Sequence, residues 1–183
     1  MICSRSTAEP ASGTQGGNQR GTRKRDFMAT KVKFTPEGFH TATPYLIIGG
    51  AAKAIDFYKN VFGATEMFRM MQPDGRLGHA ELRIGDSVIM MADEFPELGA
   101  RSPQHYGGSP VSILLYFDDV DAVFNRAVAA GAKVLKPLQD QAYGDRNATL
   151  TDPFGHQWTV ATHIEDVSPE EIEKRAAKAH AKK

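Results

Sequence analysis

The sequence predicts an α+β fold of two tandem βαβββ modules, whose strands form a curved mixed sheet around a central cavity, with a helix appended at the C-terminus. Three observations predict it. The order extended, helical, extended, extended, extended occurs twice along the chain. The glycines that end the two helical segments, Gly63 and Gly131, stand 68 residues apart within the triplets Phe62-Gly63-Ala64 and Ala130-Gly131-Ala132. Turn sequences punctuate both copies at corresponding places.

The first copy opens with Thr43 to Ile48, a β-rich run closed by Gly49-Gly50. Ala51, Ala54, Ile55, Tyr58 and Val61 then recur at helical spacing, and Phe57 and Phe62 widen that apolar face, so a helix is expected up to Gly63. Three extended runs follow, Thr65 to Met71, Gly78 to Ile84 and Ser87 to Ala92. The turns Pro73-Asp74-Gly75 and Gly85-Asp86 separate them. The second copy has a strand from Ser112 to Phe117 and a helix from Asp119 to Ala130. Strands at Val134 to Gln139, Asn147 to Thr151 and Gln157 to His163 complete it, the last entered through Asp152-Pro153-Phe154-Gly155.

Residues 39–93 and 111–164 are therefore two modules of one domain. Residues 94–110, which contain Gly99, Pro103, Gly107 and Gly108, link them and are expected to cover the pocket. Each module buries only one face of its sheet, so two must associate, and the concave sides left over make a natural cavity. Beyond them, Ser168-Pro169-Glu170-Glu171 is a helix start with a capping serine, and residues 168–183 are read as a helix. Its thin apolar stripe of Ile172, Ala176 and Ala179 is expected to dock on the domain or on a second subunit.

Composition excludes several functions. Lys plus Arg and Asp plus Glu number 22 each, so no net field draws the chain to a polyanion, and no nucleic-acid partner is expected. No apolar run approaches the ~18 residues of a membrane span, so no membrane partner is expected either, and the expected location is cytoplasmic. Cys3, the only cysteine, cannot form an intrachain disulfide or a cysteine zinc site. Gly49-Gly50 alone makes no phosphate loop and no Gly-x-Ser-x-Gly elbow occurs, which sets aside nucleotide binding and serine hydrolysis. Residues 1–27, rich in Ser, Thr, Gly and Gln around Arg23-Lys24-Arg25, are read as a disordered tail. That tail is compatible with an organelle transit peptide or with a non-native extension ahead of a start at Met28.

Ala54-Ile55-Asp56-Phe57-Tyr58 before Phe62-Gly63, Asp118-Asp119-Val120-Asp121 at the second helix entry, and Asp152-Pro153-Phe154-Gly155 together resemble the glyoxalase, bleomycin-resistance and extradiol dioxygenase superfamily, the vicinal oxygen chelate proteins. The resemblance runs from about Phe39 to His163. Gly78-His79-Ala80-Glu81-Leu82 and the stretch Trp158 to Val167 look like its PhnB-like branch. For metal-dependent members the resemblance implies four ligands, one on the first and one on the last strand of each module. Those positions fall on Thr43, Met90, Ser112 and Thr159. Hydroxyl and thioether groups do not replace the usual His, Gln and Glu around a divalent cation, so no metal cofactor is expected at these corners.

Strand register points to other polar groups. The Gly85-Asp86 turn pairs Ile84 with Ser87, which sets Glu81 beside Met90, His79 beside Ala92 and Arg83 beside Val88, all facing inward. An inward carboxylate needs a partner, for which His79, Arg83 and Arg146 are candidates. Glu81 could be half of a structural ion pair, a general base and hence the one candidate catalytic residue, or a ligand with His79 and His163 for one divalent metal ion. His163 has a second reading, a strand-end histidine bonded to the C-terminal segment. His156, after the Gly155 turn, is expected to be exposed. Tyr45 and Tyr116 share the inward parity and could stack on a planar ligand.

The expectation is a homodimer of the bleomycin-resistance kind that binds a small molecule without a cofactor. Tyr45, His79, Glu81, Arg83, Met90, Tyr116 and Arg146 would line its cavity. A divalent-metal-dependent lyase, isomerase or dioxygenase with relocated ligands His79 and Glu81 is the enzymatic alternative. An interaction module with a vestigial cavity is a further one.

Overall fold

The computed structural model describes residues 32–180. The expectations for the tail, Cys3 included, lie outside the described residues. Residues 35–180 belong to the unit described below. In chain order it contains β1 (Tyr45–Ile48), α1 (Ala51–Phe62), β2 (Thr65–Met71), β3 (Leu77–Ile84) and β4 (Ser87–Asp93), then β5 (Ser112–Tyr116), α2 (Val120–Ala129), β6 (Lys133–Asp140), β7 (Asp145–Thr151), β8 (Gln157–His163) and α3 (Pro169–His180). The tandem βαβββ order is the one the sequence predicts. The strands hydrogen-bond as two separate four-stranded mixed sheets, ordered β1-β4-β3-β2 and β5-β8-β7-β6, in which only the pairs β1–β4 and β5–β8 are parallel.

In both modules the last strand supplies an acceptor to the first turn of the helix. Gly50, in left-handed backbone at φ 86°, gives α1 no capping side chain. Asp93 at the end of β4 supplies the cap instead: its Oδ1 accepts from Ala51 N at 2.7 Å and Gly50 N at 3.2 Å, while Oδ2 accepts from Leu77 N at 2.6 Å. In the second module Asp119 caps α2 through Ala122 N at 2.9 Å, and Thr162 near the end of β8 accepts from Val120 N at 3.0 Å. Among the described residues no helix is long and apolar enough to cross a membrane.

One core serves both modules. The inward faces of α1 (Ile55, Tyr58, Phe62) and α2 (Val120, Val123) pack with alternate residues of β3, β4 and β8, and Trp158 lies against Tyr58 and Phe62 with ring centroids 5.2 and 4.9 Å away. Arg126 of α2 donates to the Val61 carbonyl at 3.2 Å from Nη2, which ties the helices together at their ends. The link between modules contains two short 3₁₀ turns, Pro96–Leu98 and Pro103–Tyr106. Gln104 Nε2 donates to the Pro153 carbonyl, and Pro103 packs close to Gly155. The link thus sits on the Asp152–Gly155 turn.

Candidate functional site

Side chains alternate along a strand, so each sheet has a second face directed away from its helix. On the first sheet one row crosses all four strands: Tyr45 pairs with Met90, Met90 with Glu81, and Glu81 with Phe68. Ile84 pairs with Ser87 and Arg83 with Val88, which is the register inferred from the Gly85-Asp86 turn. His79 stands two residues from Glu81 on the same face. Its Nε2 is 3.3 Å from Glu81 Oε1 and its Nδ1 3.0 Å from the Tyr45 hydroxyl. A carboxylate only accepts, so Nε2 carries the proton of the first contact, and in the neutral imidazole Nδ1 accepts from Tyr45. The His79 ring lies between those of Tyr45 and Phe68, at centroid distances of 5.6 and 6.1 Å. Arg83, on the same face, is exposed and forms no ion pair among the described residues.

The equivalent row of the second sheet is Leu114, Thr159, Thr149 and Lys136. Thr159 Oγ1 lies 3.1 Å from both Ser112 Oγ and Thr149 Oγ1, a short chain of hydroxyls. At the far end of this face Asp145, buried, accepts from the Tyr116 hydroxyl at 2.8 Å and from His163 Nδ1 at 2.8 Å, while His163 Nε2 lies 3.0 Å from Asp166. The bond to Asp145 pushes the Tyr116 phenol up from its ordinary value, and the bonds to Asp145 and Asp166 raise the His163 imidazole.

Three expectations need correction. Arg146 does not line the open face: it shares the helix-side parity of Ala148 and Leu150 and pairs with Asp121 of α2 and Asp140 of β6, each at 2.8 Å. Two carboxylates within reach on its own module hold it there. His163 does not join His79 and Glu81, being occupied by Asp145 and Asp166 on the second sheet, which matches its reading as a strand-end histidine. His156 is buried, not exposed, at 8% accessibility, with Nε2 3.2 Å from the Ile47 carbonyl. Burial holds its imidazole below the usual histidine value.

The donor set does not fit the metal that the fold family implies. At the four implied positions stand a hydroxyl bonded to the His40 carbonyl (Thr43), a thioether (Met90) and two hydroxyls bonded to each other (Ser112, Thr159). Among the described residues no group of three or more His, Cys, Asp or Glu side chains is arranged to hold an ion.

Phe68 and Asp145 are site residues that sequence reasoning missed. Phe68 could be placed opposite Glu81 only by counting across the β2–β3 pair, where irregularities between Glu66 and Phe68 and between Met70 and Met71 break the alternation. For Asp145 the signal was weaker, since an aspartate after Gly144 reads as turn punctuation.

Two clefts among the described residues lie beside these faces. One of about 700 Å³ runs between residues 41–46 and Ser109, Val111, Ile113 and His156. Another of about 440 Å³ lies between the β3–β4 turn and β5. Neither is lined by Glu81, Met90 or Thr159. On the open faces Tyr45, Phe68, Met70, Leu114 and Tyr116 are each 45% to 57% accessible, a large apolar exposure for one chain.

Residues 39–160 match the family model described as Glyoxalase/Bleomycin resistance protein/Dioxygenase superfamily. An uncharacterized protein of Mycobacterium bovis is 45% identical over 134 residues, covering 72% of this chain and 88% of its own. Among solved structures, TioX from Micromonospora sp. ML1 superposes with a TM-score of 0.53 at 28% identity, over 67% of this chain and 97% of that one. The PhnB protein of Bacillus cereus superposes with a TM-score of 0.54 over 67% of this chain and 99% of that one, and at 19% identity it speaks to the fold alone.

Proposed function

Because the chain belongs to the glyoxalase/bleomycin-resistance/dioxygenase superfamily, and its open sheet faces bear half-exposed aromatic and thioether groups around a few fixed polar atoms, we propose that it is a homodimer that binds a small organic molecule between those faces. The first-sheet face of one copy meets the second-sheet face of the other. Tyr45, His79, Glu81 and Met90 form one wall, and Leu114, Tyr116 and Thr159 the opposite one.

The observation that carries this reading is the row Tyr45–Met90–Glu81–Phe68, with His79 bonded to both Tyr45 and Glu81. An apolar wall with a small number of oriented polar atoms is the composition of a ligand site. In water the same wall is costly, at roughly 25 cal/mol for each Å² of apolar surface left uncovered. A second copy and a ligand both relieve that cost.

Light scattering after size exclusion, combined with a small-molecule thermal-shift screen, tests the reading. The expected result is a dimer with ligands that raise its melting temperature, and a Leu114→Arg variant that is monomeric and no longer responds. A monomer that binds ligands as well as the unaltered chain would overturn the two-copy arrangement. The relocated-metal alternative is supported by the His79–Glu81 contact alone. Elemental analysis of protein purified without a metal-affinity tag decides it, since stoichiometric metal lost in His79→Ala would favour that alternative.

A further inference from the structure

The first-sheet wall is more selective than a generic apolar surface. Glu81 Oε1 is engaged by His79, whereas Oε2 has no hydrogen bond among the described residues and is not sealed inside the protein, since no buried side-chain oxygen or nitrogen lacks a partner. Glu81 stands in the middle of the row, paired in register with Phe68 on one side and Met90 on the other, and Tyr45 of the same row is bonded to His79. Met70, opposite His79, extends the apolar surround.

Extending the binding reading above, on which this inference rests, we propose that the ligand is a planar aromatic molecule bearing a protonated nitrogen, an aromatic ammonium or amidinium. A neutral ring stacked on this wall would strip water from Glu81 Oε2 and return nothing, which is costly for a carboxylate. A carboxylate ligand would add repulsion. A protonated nitrogen bonds Oε2 directly, and the faces of Tyr45 and Phe68 attract the same charge. Two cations stand near these faces, Arg83 one row nearer the Gly85-Asp86 turn and Lys136 on the edge strand β6. Both are exposed, and long basic side chains keep their charge in water at the rim. His79 helps through position: it holds Oε1, so Oε2 is the oxygen left for the ligand.

Three probes sharing one ring test the inference on the full chain by isothermal titration: 2-naphthylmethylammonium, 2-naphthylmethanol and 2-naphthoate. The ammonium is expected to bind about tenfold or more tighter than the alcohol, the scale of one charge-assisted hydrogen bond, with naphthoate weakest. Glu81→Gln should bring ammonium and alcohol to within about twofold of each other, because it keeps shape and removes charge. Phe68→Ala should weaken both. Far-ultraviolet circular dichroism and the melting temperature establish that each variant is folded. Equal binding of all three probes, or a preference for naphthoate that disappears in Arg83→Ala, overturns the cation inference and leaves the binding reading intact. No binding by any probe to a chain that responds to other molecules in the thermal-shift screen overturns the inference alone. A chain that is monomeric and responds to nothing overturns both.

Discussion

Tyr58 of α1 donates its hydroxyl to Asp152 Oδ2 across the junction between the modules, at 2.7 Å. Asp152 is buried, and its other bonds are all within the second module: Trp158 Nε1 to Oδ2 at 2.9 Å, and the backbone amides of Phe154 and His156 to Oδ1, each at 2.9 Å. One carboxylate therefore closes the Asp152–Gly155 turn, orients the largest core side chain and anchors the first module's helix. Burial first, and then Asp152, drives the Tyr58 phenol well above its ordinary value, so it remains a donor at all ordinary pH.

Asp152→Ala leaves several buried donors without an acceptor and is expected to cost about 3 kcal/mol or more. Tyr58→Phe removes one bond and is expected to cost about 1–2 kcal/mol. Urea denaturation measures both, and the double variant should lose less than the sum, since the two groups share one interaction. A cost for Asp152→Ala no larger than that of Tyr58→Phe would show that the turn holds without its carboxylate.

Asp93→Ala removes the acceptor for the first amides of α1 and for Leu77 N. A loss of about 1–2 kcal/mol is expected, the usual effect of removing a cap. Hydrogen exchange should speed up at Ala51 and Leu77 while Val120, capped by Thr162 in the other module, is unaffected. Uniform acceleration across both helices would point to a global effect instead.

The exposed His163 and the buried His156 have opposite pH signatures. His163 is raised by Asp145 and then Asp166, so its stabilisation is complete below the unfolded value of about 6.5 and is lost as pH rises through the raised folded value. His156 is lowered by burial, so its folded form disfavours the proton, and stability present above about pH 6.5 declines as pH falls toward the lowered value. His163→Gln should therefore cost more stability at about pH 6 than at about pH 8, and His156→Gln should flatten the acid-side decline. Thermal melts over this range check both signs, and parallel profiles for the two variants would contradict them.

Gly144 is fixed by two needs at once. Its φ of 95° lies in the left-handed region, and a Cβ there would run into the Glu165 carbonyl oxygen. Its own carbonyl accepts from Ile164 N at 2.8 Å and Glu165 N at 3.0 Å, which holds the segment leading to α3. Gly144→Ala should release that segment, seen as faster proteolysis after His163 with the two sheets still folded.

Much of the fold was legible in the chain because the signals are local. Helical spacing from Ala51 to Phe62, Gly63 with its positive φ, and the Gly85-Asp86 turn each act within a few residues, and they set the elements and the β3–β4 register. The site was legible to the extent that register reached it. Glu81 beside Met90 followed from a two-residue turn, whereas Phe68 opposite Glu81 lay beyond an irregular pairing.

The sequence by itself determined the repeated module, its turns, the family and the substitution of hydroxyl and thioether groups at the implied ligand positions. Only the tertiary structure decided the partners of groups that act across the fold. Arg146 turns to Asp121 and Asp140, His156 is buried against Ile47, Asp93 caps a helix 42 residues earlier, and the open faces remain uncovered within one chain. The physical reason is range. Backbone preference and alternation act over neighbouring residues, while charge pairing and burial depend on which surfaces meet, and that is known only once the modules have packed.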